Sequence, residues 1–116
     1  MSGPEAIWRA ALADGRFLLQ RGMASGRAYF PPRAAEPGTG DAAEWFEASG
    51  LGEVYSVTVI HAKPPQPNHH VALITLAEGP RLMSRVEGVA EPAIGLKVKA
   101  RIVEEDGQPL LVFVPA

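Results

Sequence analysis

From residue 53 to the C-terminus the chain repeats one pattern: short runs of alternating apolar and polar residues, each closed by Gly, Pro, Asn or Asp. The cleanest is LKVKARIVEE at 96–105. Leu96, Val98, Ala100 and Ile102 point one way, while Lys97, Lys99 and Arg101 point the other. A period of two is a strand with one dry face, and it is incompatible with an amphipathic helix. EVYSVTVIHA (53–62) is the strongest strand signal, with Tyr55, Val57, Val59 and His61 on one face and Val54, Ser56, Thr58 and Ile60 on the other. HVALITLAEG (70–79) is almost wholly apolar, as in a strand covered on both sides. PRLMSRVEGV (80–89) sets Leu82, Ser84 and Val86 against Arg81, Met83, Arg85 and Glu87. EDGQ is hairpin-turn chemistry, and PLLVFVPA (109–116) is a last strand stopped by Pro115. EWFEAS (44–49) adds a shorter strand before the turn GLG.

Five or six short antiparallel strands in this space have few closed solutions: an OB-type Greek-key barrel, an SH3-like barrel or a small sandwich. The longest strand comes early, and AEPAIG (90–95) offers a turn before the last two strands. That order favours the OB barrel. The expected fold is therefore mostly β: a five- to six-stranded antiparallel OB-fold barrel over residues 43–116. Residues 1–42 are expected to form an N-terminal helix and a hairpin.

The helix is read from SGPEAIWRAALADG (2–15). Ser2 or Gly3 can cap it, Pro4 suits its first turn, and Glu5 complements its positive end. Ile7, Trp8, Ala11 and Leu12 form one apolar stripe, and Gly15 is a stop. So short a helix needs a docking surface. RFLLQRG and RAYFPP read as two extended pieces around the bend GMASG, and AAEPGTGDAA reads as a flexible loop.

Composition removes several functions. A formal net charge of −2 argues against a non-specific nucleic-acid binder. With no cysteine there is no disulfide, no thiolate nucleophile and no cysteine zinc site. No leader pattern opens the chain and no apolar run reaches ~18 residues, so the cytoplasm is the expected location.

GRAYFPPR, EWFEASGLGEVYSVTVIH, VALITLAEGPRLMSRVEG and IGLKVKARIVEEDGQPLLVFVPA together resemble the acyl-CoA-associated OB-fold proteins. The resemblance runs from Trp8 to Pro115. It implies an N-terminal helix and rubredoxin-like zinc ribbon before a C-terminal OB-fold. It also implies a non-catalytic subunit that binds a thiolase-like enzyme and helps form an acyl-CoA channel. In that family two Cys-x-x-Cys pairs flank Phe-Pro-Pro-Arg. In this chain those positions carry Gly22, Ser25, Glu36 and Thr39. One carboxylate, two hydroxyls and a glycine do not make a zinc site, so the ribbon is read as zinc-free, with no cofactor of its own. Packing on the helix or a partner is expected to replace the metal, leaving a hairpin that is mobile in the free chain.

Candidate contact residues follow. Phe30, Pro31, Pro32 and Arg33 combine an apolar anchor, a stiff segment and a forked donor, against the plainer role of a rigid linker with Phe30 in the core. Lys97, Lys99 and Arg101 form a basic stripe suited to CoA phosphates or an acidic partner, or simply a solvated face; Arg81 and Arg85 extend it only if their strand is adjacent. His61, His69 and His70 make a poor chelate, because neighbours in a strand point to opposite faces. KPPQPN (63–68) is read as a connector. The competing function is a nucleic-acid-binding OB module. Only Tyr55 and Trp45 are available to stack on bases, and both are expected to be packed. No catalytic constellation emerges. The isolated chain is also a candidate homodimer through surfaces meant for its partner.

Overall fold

The computed structural model describes residues 3–116; Ser2, a candidate cap, lies outside them. Helix α1 (Pro4–Ala13) starts from Gly3, whose backbone is extended, with Pro4 at its first position and Glu5 in its first turn. Three short strands follow: β1 (Leu18–Gly22), β2 (Ala28–Tyr29) and β3 (Ala43–Glu47). They form one antiparallel sheet in the order β2-β1-β3. The longer strands β4 (Leu51–Ile60), β5 (His69–Leu76), β6 (Arg81–Ser84), β7 (Lys97–Glu105) and β8 (Gln108–Pro115) form a second sheet in the order β6-β5-β4-β7-β8.

The second sheet curls almost into a closed barrel. Its ends meet just past β6. Val86 bridges Phe113 in parallel, Phe113 N–H donates to Arg85 O, and Glu87 N–H donates to Phe113 O. Ser84 Oγ–H adds a bond to Leu111 O. This near-closure matters because it covers part of the free edges of β6 and β8. The core is the inward set that alternation marks: Val54, Ala72, Ile74, Leu76, Leu82, Val86, Val98, Leu111 and Phe113, joined by Leu12, Phe17 and Leu19 from the N-terminal segment. The hairpin β7–β8 turns on Asp106 and Gly107, both with positive φ (53° and 75°), as a tight twisted turn requires. α1 lays Ala11 and Leu12 on β8 and β1, so its stripe docks within the chain; Ile7 stays exposed.

Three sequence expectations change. The strand at 43–47 does not join the barrel: it pairs with β1, Leu18 opposite Glu47 through Gly22 opposite Ala43. Its apolar residues, Trp45 and Phe46, are only half-buried, as suits a small outlying sheet. In β4 the simple alternation fails, because a bulge between Val54 and Ser56 places an extra residue there. A bulge reverses the parity beyond it, so Val54 and Val57 both face the core while Tyr55 stands half exposed. Finally, 34–43 is not a free loop. Glu36 N–H donates to Asp41 O, Gly40 N–H to Glu36 O, and Ala24 N–H to Asp41 Oδ2.

Candidate functional site

The bend between β1 and β2 faces the turn before β3, and Glu36 lies between them. Its side chain is 1 % exposed. Oε1 accepts from Thr39 Oγ–H at 2.7 Å. Oε2 accepts from Ser25 Oγ–H at 2.8 Å and from Arg27 Nε–H at 3.1 Å. A second Arg27 nitrogen donates to Pro37 O at 2.8 Å. Gly22 completes the ring, since a Cβ there would stand 2.5 Å from Glu36 Oε1 and 2.7 Å from Ser25 Oγ. The four positions singled out in the sequence, Gly22, Ser25, Glu36 and Thr39, therefore converge on one carboxylate. A buried carboxylate with three side-chain donors thus ties the two turns of this hairpin together, beside the packing of Phe30 on Trp8 that ties it to the helix.

The donors lower the Glu36 pKa. The Thr39 hydrogen bond has the largest effect and Ser25 the next; burial opposes them, and Arg27 adds a hydrogen bond and its charge. The carboxylate is covered by its own hairpin, but little protein lies beyond that cover, so the donors prevail over the loss of water. The nearby phenol of Tyr29 is pushed up by its own burial first and by the Glu36 charge second, which keeps it a proton donor.

Phe30 to Arg33 leaves β2 toward the helix. Phe30 packs on the core and tilts against Trp8, with centroids 5.4 Å apart, so its anchor role is spent inside the chain. Trp8 Nε1–H donates to Leu18 O. Gln20, 4 % exposed, grips the end of the segment. Its amide donates to Arg33 O and accepts from Arg33 N–H, both at 2.7 Å. The carboxamide thus pairs with the Arg33 main chain as a strand would. The Arg33 side chain remains exposed, and none of the hydrogen bonds or ion pairs among the described residues uses its guanidinium.

Lys97, Lys99 and Arg101 are exposed on the outer face of β7, with Lys97 3.4 Å from Glu53. Arg81 and Arg85 do not extend this stripe. Two strands separate β6 from β7 in the sheet; Arg81 lies over the Tyr55 ring at 3.9 Å, and Arg85 is held by Glu87 and Glu105. Tyr55 is therefore neither packed in the core nor an open stacking platform. His70 is a brace, with Nε2 accepting from Val86 N–H and Nδ1 against Ala90 O, while His61 meets Asn68. No group of three or more potential metal ligands occurs among the described residues. Nor does any helix among them have the length and apolarity to cross a membrane.

Residues 45–103 match the family described as ChsH2, C-terminal OB-fold domain. A curated relative from Thermomonospora curvata, named probable enoyl-CoA hydratase alpha subunit, is 37% identical over 96% of this chain. The chain belongs to the ChsH2-type OB-fold family. It spans 37% of that relative's length. Among solved structures, the Ltp2-ChsH2(DUF35) aldolase superposes with a TM-score of 0.84 at 32% identity, covering 99% of this chain and 96% of that one. A DUF35 protein of unknown function from Sulfolobus solfataricus superposes with a TM-score of 0.72 at 21% identity, covering 99% and 87%, and shares the fold. In this ChsH2-type chain the sequence pointed to Phe30–Arg33 and to Glu36. It missed Gln20 and Arg27. Gln20 had one available signal: a polar residue inside the apolar run FLLQ must find a partner when buried.

Proposed function

We propose that this chain is a non-catalytic accessory subunit working in the cytoplasm, where it binds a thiolase-like enzyme and supports acyl-CoA binding or channelling. The observation that carries this reading is end-to-end correspondence with a chain of the Ltp2-ChsH2(DUF35) aldolase, over 99% of this chain and 96% of that one. The relative named for enoyl-CoA hydratase supports the acyl-CoA part. On this reading the N-terminal sheet is a zinc ribbon whose metal has been replaced by the Glu36 carboxylate and its donors. Lys97, Lys99 and Arg101 are available to CoA phosphates or an acidic partner face. Arg33 is the cation of the Phe30–Arg33 segment, its guanidinium unpaired among the described residues. The chain itself carries no cofactor.

A nucleic-acid role is the weaker reading. Stacking on bases needs open aromatic faces beside positive charge. Here Arg81 covers Tyr55, and Trp45 sits in the outlying sheet.

The test is co-expression with the thiolase-like reading frame of the same host, followed by size exclusion. A single complex of fixed stoichiometry, with acyl-CoA turnover by the enzyme dependent on this chain, is the expected result. Separate elution with unaltered turnover overturns the reading. Strong, salt-sensitive retention of single-stranded DNA in a gel shift instead favours the nucleic-acid module.

A further inference from the structure

Two buried polar atoms find no partner among the described residues: Oη of Tyr29 and Oε1 of Glu78. Tyr29 is 7% exposed, and Glu78 uses its other oxygen to accept from Ser49 N–H at 2.7 Å. Both residues line one cavity of about 410 Å³ between the hairpin and the β5–β6 turn, walled by Ala28, Phe30, Pro37 and Pro80. A donor and an acceptor removed from water without partners are costly to the free chain, and such groups call for an explanation.

The backbone beside them is also open. β2 is an edge strand. Gly22 N–H donates to Arg27 O, and Gln20 stands opposite Tyr29. Antiparallel pairs alternate between bonded and non-bonded, so Gly22–Arg27 and Gln20–Tyr29 are the bonded pairs and Arg21–Ala28 is not. The N–H and C=O of Ala28 therefore point away from β1, at the same residue that walls the cavity. Pro31 and Pro32 lack N–H groups, so the edge offers one residue pair and then stops.

We propose that the β2 edge and this cavity receive an extended main-chain segment of the partner subunit. The segment pairs with Ala28 and, as the Tyr29 and Glu78 side chains turn from their closed positions to meet it, offers a carbonyl to Tyr29 Oη and an N–H to Glu78 Oε1. A peptide backbone carries both functions in every unit, which is the chemistry the two orphan atoms require. The site also runs directly into the Phe30–Arg33 segment, whose exposed end is Arg33. A second copy of this chain fits poorly: antiparallel β2 edges would align a single Ala28 pair, because Pro31 and Pro32 end the edge. The inference depends on the accessory-subunit reading, and it adds where and how the partner is held.

The experiment is amide hydrogen exchange on the full chain, free and in complex with the thiolase-fold subunit that co-purifies with it, combined with two variants. In the free chain the Ala28 amide exchanges fast and the Tyr29 amide slowly; in the complex Ala28 becomes protected. Tyr29→Phe removes an unpaired hydroxyl, so the free chain's Tm holds or rises while partner affinity falls by about tenfold. Ala28→Pro deletes the outward N–H, while also fixing φ at 28 and restricting Arg27, and has a similar effect on affinity; the exchange data carry the same test if this variant does not fold. A lowered Tm for Tyr29→Phe overturns the inference, because its hydroxyl is then engaged inside the fold. Ala28 exchange unchanged in an intact complex also overturns it, and leaves the proposed function standing. Failure of the wild-type chain to bind any thiolase-fold subunit overturns both. A dimer of this chain that Ala28→Pro dissolves shows the edge to be a self-interface instead.

Discussion

Gly22 and Glu36 occupy each other's space: the side chain that Gly22 lacks would stand 2.5 Å from the Glu36 carboxylate. The two residues therefore depend on each other, and a double-mutant cycle should show it. Gly22 has no positive φ, so the obstacle to a side chain there is steric and not conformational. Gly22→Ala is expected to cost about 1–3 kcal/mol, the usual range for forcing a methyl into closed packing. In the Glu36→Ala background the same substitution should cost less, with only Ser25 Oγ left to turn aside. Urea melts of the four proteins give the coupling. Additive effects would contradict the shared-space account.

Acid should open the hairpin. The folded Glu36 pKa lies below its unfolded value of about 4.3. A depressed acid contributes stability that is complete above the unfolded pKa and is lost as pH falls through the folded one. Wild type and Glu36→Gln should therefore differ most at neutral pH, and the gap should narrow as pH falls below the unfolded value toward the lower folded one. Paired denaturant melts from pH 7 down to pH 3 check this. A constant gap across the range would exclude the carboxylate charge as the source.

The barrel was readable because alternation at 97–105 reports which face is dry, while the near-continuous apolar runs at 69–76 and 108–115 mark covered strands; Leu111, Val112 and Phe113 are all buried. Parity was lost at Tyr55 because a bulge is a backbone event that no side chain announces. β3 was legible as a strand but not as to its sheet, since pairing Gln20 with Trp45 is a long-range choice made by tertiary packing. At the hairpin, the four positions were identified and their emptiness of thiols was clear. That one of them, Glu36, had become the centre of the site was not, because its donors Ser25, Arg27 and Thr39 carry meaning only once the fold brings them together.

That convergence can be tested by building the metal site. The Gly22→Cys, Ser25→Cys, Glu36→Cys, Thr39→Cys quadruple variant places four thiols around the point now held by the carboxylate. It should bind one zinc per chain with tetrahedral thiolate coordination and Zn–S distances of about 2.3 Å. Metal analysis and X-ray absorption are the readouts. The variant should melt higher with zinc than with chelator, whereas the wild-type chain should show no difference. Zinc bound by two or three thiols only would mean that the positions are not jointly within reach.

Gln20 should prove more important than its place in a small outlying sheet suggests. Its amide supplies both bonds to the Arg33 main chain. Gln20→Ala removes them and leaves a gap beside its cross-strand partners Tyr29 and Trp45, at a cost of about 1–3 kcal/mol. Gln20→Glu keeps the acceptor for Arg33 N–H but sets a carboxylate oxygen against Arg33 O, so it should not rescue. In both variants the Arg33 amide should lose exchange protection while amides in β7 and β8 keep theirs. Loss of protection throughout the barrel would show that Gln20 supports the whole fold and not this segment.

Arg33 offers the opposite signature. Its side chain is exposed, and no hydrogen bond or ion pair among the described residues depends on its guanidinium. Arg33→Ala should therefore leave stability within about 0.5 kcal/mol of wild type, as for a surface change away from special features. If the segment contacts a partner, the cost falls on association. A rim charge acts mainly on the encounter rate and on its salt dependence. Surface plasmon resonance against the co-purifying subunit should show a slower on-rate for Arg33→Ala at low salt, with the difference fading as salt is raised. Arg33→Lys should recover most of the on-rate, because steering needs the charge, but less of the residence time if the forked guanidinium makes two bonds. An on-rate that does not respond to either substitution would remove Arg33 from the interface and leave Phe30–Pro32 as a structural link alone.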